Sequence, residues 1–237
     1  MTAAVRSSGQ EAACYTGYIF DVEGTLVDTV PQEVLSLQES LADFGIIVAR
    51  DLLQLYTGLD GDQTLRLVAP DLPSEQREQV LHCRAKIYEE KYLASVKPFP
   101  GVREVFMELA RRGGRIALTT DCKGPEFKHY RSLLAVDDLI DSMACGDDVE
   151  HGKPDPRLIG RALRKLSVPA GKAVMIGDTP YDAEAALGAG VAAAGLLTGG
   201  FTRQALAGAG CFVVTDDLQN LLTSLDGTRL AWGRGVG

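Results

Sequence analysis

IFDVEGTLVDT, residues 19–29, ends an unbroken apolar run on two acids spaced two apart, Asp21 and Glu23, and follows them at once with Gly-Thr. A β-strand that closes on carboxylates is a strand whose end faces something polar. The run beginning at Gly17, GYIFD, has five counterparts further along: RIALTT at 115–120, SMAC at 142–145, AVMIGD at 173–178, VAAAGLL at 191–197 and CFVVT at 211–215. Most are apolar at every position rather than at alternate ones, the pattern of strands covered on both faces in a parallel sheet. Segments of helical period separate them. VREVFMELARRGG places Val102, Val105, Phe106 and Leu109 on one face and stops at a Gly pair, while PEFKHYRSLL opens on Pro125 and repeats Phe127, Tyr130 and Leu134. RLIGRALRKL (157–166) and YDAEAALGAG (181–190) continue the alternation. Strands and helices alternating at this length predict right-handed crossovers and a doubly wound α/β parallel sheet.

One interval breaks the rhythm. Between Asp28 and Pro98 only helical patterns occur: Val34, Leu37, Leu41 and Phe44 ahead of Gly45, then Val80, Cys83, Ile87 and Tyr88. About seventy residues exceed what a single crossover needs. The expected organisation is therefore a sheet core of residues 17–28 and 98–228 with a helical cap domain inserted at 29–97. Val27 to Val30 would form the entry hinge, and VKPFPG, with two prolines, the exit. Residues 1–16 read as a flexible polar leader and 229–237 as a frayed tail.

Composition excludes several classes. A net charge of −8 over 237 residues argues against a surface that tracks nucleic-acid phosphates, which needs clustered Lys and Arg. No apolar run has the length of a membrane span, and the leader lacks the apolar centre of a secretory signal, so a cytoplasmic location is expected. The five cysteines are odd in number and contain no C-x-x-C pair, which predicts reduced thiols. His82, His129 and His151 share no metal-ligand spacing.

In open α/β sheets ligands gather beyond the carboxyl ends of the strands. The polar residues that interrupt the apolar runs lie there: Asp21 and Glu23, Thr119 to Asp121, Lys153 in the loop after SMAC, and Asp178 with Asp182. IFDVEGTLVDT, IALTTD, DDVEHGKPDP and VMIGDTPYDAEAALGAG, in this order and spacing, resemble the four motifs of the haloacid dehalogenase (HAD) superfamily, whose core is Rossmann-like. The helical insertion and FPGVREVFMEL resemble the subgroup that contains phosphoglycolate phosphatases and β-phosphoglucomutases. The resemblance runs from about Gly17 to Leu225.

It implies a role for each residue. Asp21 matches the nucleophile that forms an aspartyl-phosphate. Asp21, Asp178 and the main-chain carbonyl of Glu23 match the ligands of a Mg²⁺ ion, whose all-oxygen preference suits them. Lys153 matches the lysine that offsets charge on nucleophile and phosphoryl group. Thr120 matches the hydroxyl that bonds a phosphoryl oxygen, and Asp182 the supporting acid. Asp121, beside Thr120, and Gly58, in the cap loop YTGLDGDQ (56–63), join Thr120 and Lys153 as expected substrate contacts. Glu23 departs from the family's usual aspartate at the acid/base position; it supplies the same carboxyl on a longer arm. Lys123, Arg66 and Lys97 are weaker candidates, and Cys122 has no neighbour that would make it a nucleophile. The function implied is a Mg²⁺-dependent phosphatase acting on a small phosphorylated metabolite, with no nucleic-acid or membrane partner. The alternatives are a phosphomutase and a non-catalytic binding module in which Glu23 has displaced the acid/base aspartate. A monomer and a weak dimer are both compatible with the sequence.

Overall fold

The computed structural model describes residues 15–122 and 124–232, with backbone alone for residues 125 and 226–232. The predicted leader and tail therefore fall largely outside the described residues, as do Cys14 and Lys123. At the start, Thr16 is already tied down: its N–H donates to the carbonyl of Lys172 at 2.8 Å. At the end, the described part of the expected tail, residues 229–232, continues the last helix. Leu218, Leu221 and Leu225 keep one face of that helix buried.

Among the described residues eight strands form: β1 (Gly17–Asp21), β2 (Val27–Asp28), β3 (Lys97–Pro98), β4 (Arg115–Thr119), β5 (Ser142–Ala144), β6 (Ala173–Gly177), β7 (Ala192–Leu196) and β8 (Cys211–Thr215). Six of them make one parallel sheet in the order β5-β4-β1-β6-β7-β8. All six are strands expected from the apolar runs. The chain winds outward from β1 to β5, then returns to place β6 on the other side of β1, so the direction of winding reverses beside β1. That reversal leaves a crevice at the carboxyl ends, where the loops part to opposite faces.

The unbroken apolar runs are explained by burial on both faces. On one face Tyr18 and Phe20, Ile116 and Leu118, Val174 and Ile176 pack against α5 (Val102–Arg111), α6 (Gly124–Leu134) and α10 (Leu218–Trp232). Phe20 and Phe106 stand with ring centroids 4.7 Å apart. On the other face Ile19, Ala117 and Met175 meet α7 (Arg157–Leu166) and α8 (Pro180–Gly188) through a layer rich in alanine. A short helix, α9 (Arg203–Gly208), which the periodicity did not mark, joins β7 to β8.

Residues 29–96 contain no strand of the sheet. They hold α1 (Val30–Asp43), α2 (Arg50–Gln54), α3 (Gly61–Val68) and α4 (Ser74–Ile87) around a separate cluster of Val34, Leu41, Val48, Leu53, Leu65, Leu72 and Val80. α2 and α3 are too short for periodicity to reveal them. Phe44, expected on the buried face of α1, is 37% exposed. The helix has ended at Asp43; Gly45, at φ +74°, turns the chain so that Ile46 N–H bonds back to Leu41. Where the chain leaves and re-enters the sheet core, β2 and β3 pair antiparallel, Val27 with Pro98 and Asp28 with Lys97. Tyr88, Leu93 and Val96 pack into the sheet's cluster instead of that of the helices. Among the described residues no helix is long and apolar enough to cross a membrane, and the four described cysteines are unpaired.

Candidate active site

Asp21 is the last residue of β1, Thr120 follows β4, Asp178 follows β6, and Lys153 lies in the loop after β5. Strand register alone therefore brings three of the four motifs to one edge. Lys153 reaches in to join them: its Nζ donates to Asp21 Oδ1 at 2.7 Å and to Asp182 Oδ1 at 2.9 Å, with all three residues no more than 3% exposed.

The turn after β1 explains the Gly-Thr of the opening stretch. Leu26 N–H bonds to Val22 O at 2.8 Å, and Gly24 sits at φ +71°, where a side chain is strained. A Cβ there would also lie 2.2 Å from Asp178 Oδ2, and one at Gly199 only 2.1 Å from the same oxygen. Thr25, buried next door, donates its hydroxyl to Asp178 Oδ1 at 2.6 Å. Asp178 is thus aimed by a threonine and kept clear by two glycines.

Asp182 is held differently. Its Oδ2 accepts from the N–H and hydroxyl of Thr179 at 3.0 and 2.7 Å, in a capping box that opens α8. With Oδ1 on Lys153, both of its oxygens are engaged. Asp21, Asp178 and Asp182 each offer one carboxylate oxygen within 4.8 Å of the others. An all-oxygen cradle with carboxylates in excess suits a hard divalent cation, and Asp182, already committed, suits a supporting place better than a direct one.

Electrostatics point the same way. Burial pushes the Asp21 carboxyl well above its ordinary range; Lys153 pulls it down, and Asp182, Glu23 and Asp178 push it up again. Burial likewise raises Asp178, with Asp182 adding to the effect. Lys153 is driven well above its ordinary value, since Asp182 and Asp21 outweigh the opposing effect of burial. One lysine faces four acids, and the burial and mutual repulsion that hold their protons on are what a dication would offset.

Glu23 is half-buried, and Thr120 donates to its Oε2 at 2.6 Å while accepting from Cys122 N–H at 3.0 Å. Burial, then the charge of Glu33, raise its carboxyl to about 7 against the pull of Thr120 and Cys122. Thr119 turns the other way and donates to Phe20 O at 3.2 Å. Asp121 accepts from Lys153 N–H at 3.1 Å through Oδ2, and its Oδ1 is buried without a partner.

A cavity of about 270 Å³ opens over this cluster, lined by Asp21, Glu23, Asp121, Lys153, Asp178 and, from the helical segment, Gly58. The segment leans directly on the sheet side: Asp60 N–H donates to Lys153 O at 3.2 Å, and the Tyr181 hydroxyl to Leu55 O at 3.1 Å. Gly58, at φ +79°, lies so near that a Cβ would come within 2.7 Å of Thr179 Cγ2. Arg66 is instead spent on an exposed pair with Asp62, and Lys97 lies exposed on β3; neither lines the cavity. Among the described residues no histidine joins the group of possible metal ligands. Cys122 does line the cavity, but burial pushes its thiol far up, away from a thiolate.

Several contributors escaped the sequence reading. Thr25 and Thr179 lay inside quoted motifs, and Thr179-x-x-Asp182 is a capping-box spacing that could have been read. Glu33, Arg84, Glu126 and Tyr130 line the far wall of the cavity from α1, α4 and α6. Their meeting is a matter of packing, with no local signal.

The family model for haloacid dehalogenase-like hydrolases matches residues 18–196. A phosphoglycolate phosphatase of Pseudomonas savastanoi pv. phaseolicola is 30% identical over 220 residues, spanning 86% of this chain and 77% of its own. A phosphorylated carbohydrates phosphatase of Thermotoga maritima is 28% identical over 176 residues, 73% of this chain and 81% of its own. Among solved structures, a hydrolase from Pseudomonas syringae superposes with a TM-score of 0.83 at 30% identity, covering 90% of this chain and 98% of that one. With its sheet order, its acids and lysine at the strand ends and these likenesses together, the chain belongs to the haloacid dehalogenase-like hydrolases.

Proposed function

We propose that this chain is a Mg²⁺-dependent phosphatase that hydrolyses small phosphorylated metabolites through an aspartyl-phosphate on Asp21. The observation that carries the reading is the buried Asp21 carboxylate, held by Lys153 at 2.7 Å at the floor of a cavity of small-molecule size. The names of the Pseudomonas and Thermotoga relatives support the phosphatase class.

Asp21, Asp178 and the main-chain carbonyl of Glu23 would hold the ion, which when bound supplies the positive charge that lets an anionic phosphate approach an anionic nucleophile. Lys153 fixes Asp21 and presents its remaining charge to the equatorial oxygens. Asp182 in turn fixes Lys153. In the first step the free Asp21 oxygen bonds to phosphorus as the bond to the ester oxygen breaks, and Glu23 passes its proton to the departing alkoxide. With its carboxyl raised to about 7, Glu23 can hold that proton near neutral pH. In the second step Glu23, now ionised, takes a proton from water as the water oxygen attacks phosphorus, and Asp21 leaves as carboxylate. Thr120 orients Glu23 in the meantime and can turn its hydroxyl to a phosphoryl oxygen once the phosphate is in place.

On this reading residues 29–97 act as a cap over a core of 17–28 and 98–228. The contacts of Leu55 and Asp60 with the sheet side support a closed arrangement that limits water during transfer. Unpaired thiols fit a cytoplasmic setting.

The test is phosphate release from a panel of metabolite phosphates with Mg²⁺. Turnover that EDTA or Asp21→Asn abolishes is expected, and turnover retained in Asp21→Asn defeats the assignment. Isomerised sugar phosphate without free phosphate would mark a mutase instead.

A further inference from the structure

The part of the cavity lined by α1, α4 and α6 carries charges that the phosphatase reading does not use. Glu33, on α1, lines it with Oε1 buried and without a hydrogen-bond partner. Arg84, on α4, lines it with its guanidinium over the ring of Tyr88, 5.0 Å from the centroid. Among the described residues Arg84 makes no hydrogen bond or ion pair, with Glu33 or with any other group. Glu126, from α6, stands on the same wall. The three interact through space. Glu33 and Glu126 act to raise the Arg84 pKa, against burial, the largest influence, and Glu33 also raises Glu23, so this wall adjoins the group that protonates the leaving oxygen.

A buried carboxylate oxygen without a hydrogen bond is costly to leave that way, and the guanidinium over the Tyr88 ring still has its N–H donors to offer. The ligand group that can satisfy them together is a hydroxyl, because it donates to Glu33 through its proton and accepts from Arg84 through its lone pairs. A carboxylate would pair with Arg84 but would face Glu33 and Glu126 as like charges, with Glu33 still dry. An ammonium would do the reverse and repel Arg84. We propose that Glu33 and Arg84 form a hydroxyl-reading subsite for the alcohol portion of the substrate, so that the chain selects polyhydroxylated phosphomonoesters over carboxylate-bearing ones. This deepens the phosphatase reading and rests on it for the placement of the phosphate at Asp21.

The test uses a matched pair, glycerol 3-phosphate and 3-phosphoglycerate, which differ by a terminal CH₂OH against a carboxylate, with a pentose 5-phosphate and 2-phosphoglycolate beside them. Binding to the full-length Asp21→Asn chain is measured by calorimetry, and kcat/KM of the unmodified chain is measured with Mg²⁺. The hydroxylated member of each pair is expected to be favoured by about tenfold or more in both measurements. Glu33→Gln, which keeps the shape and removes the charge, is expected to narrow the ratio within each pair, a readout from which any loss of folded protein cancels. Equal or reversed preference, or a ratio untouched by Glu33→Gln, overturns the subsite. A chain that binds with this selectivity yet releases no phosphate from any ester supports the subsite and overturns the phosphatase reading, so the two failures are distinct.

Discussion

Replacing Lys153 by methionine removes the single buried cation among the site's acids while keeping nearly the same volume. In the native chain its ammonium makes two charge-assisted bonds, at 2.7 Å to Asp21 and 2.9 Å to Asp182, at positions 1% and 2% exposed. Breaking a buried pair of this kind by removing one partner costs about 3–5 kcal/mol, because the charge left behind has neither water nor a counter-ion. For a chain of this size each kcal/mol lowers the melting temperature by about 2–4 °C, so a fall of roughly 6–20 °C is expected in EDTA at about pH 8. The deficit should depend on pH in a set direction. Burial raises the folded-state pKa of Asp21, and Lys153 opposes that rise, so its removal raises the value further. An acid whose folded pKa lies above its unfolded one destabilises the fold while it is ionised, and the penalty fades as pH falls and the proton returns. Thermal unfolding of both chains, followed by circular dichroism from about pH 8 down to about pH 5, should therefore show the gap closing. A variant that melts within about 2 °C of the parent at about pH 8, or a gap that widens toward acid, would refute the argument.

Gly58→Ala tests the contact of the helical segment with the sheet side. The new Cβ would need φ +79° and would lie 2.7 Å from Thr179 Cγ2, a strain of about 1–2 kcal/mol that displaces the loop from the cavity mouth. A loss of about 5–30-fold in kcat/KM is expected, and a native value would show that the loop does not close on the site. The pH profile tests Glu23: turnover of alkyl phosphates should decline above about 7 as Glu23 loses the proton it must donate. p-Nitrophenyl phosphate, whose leaving group departs without a proton, should lack that decline, and a shared decline would assign it to another group.

The periodicities and strand ends of the sequence carried most of the architecture. GYIFD, RIALT and AVMIG were legible as doubly covered strands because their interior positions are apolar in succession, and the structure puts Tyr18 and Phe20 on one face and Ile19 on the other. Their final residues, Asp21, Thr119 and Gly177, fix where the next polar side chains can stand, so the placement of Asp21, Thr120 and Asp178 together follows from strand pairing. Lys153 was legible only through its motif, since nothing local shows that a loop lysine folds inward to reach Asp21 and Asp182.

Tertiary structure alone decided the rest. α2 and α3 are one or two turns long, too short to display a period, and their place depends on a shared cluster that includes Val34 and Val80. The far wall of the cavity is the clearest case. Glu33, Arg84 and Glu126 come from three helices separated along the chain by some forty residues or more, and each taken alone reads as an ordinary solvated charge. Local sequence sets which backbone forms and which face is apolar, because those depend on neighbours a few residues away. Which distant charges share a dry wall depends on how finished elements pack, and the period of no single segment contains that information.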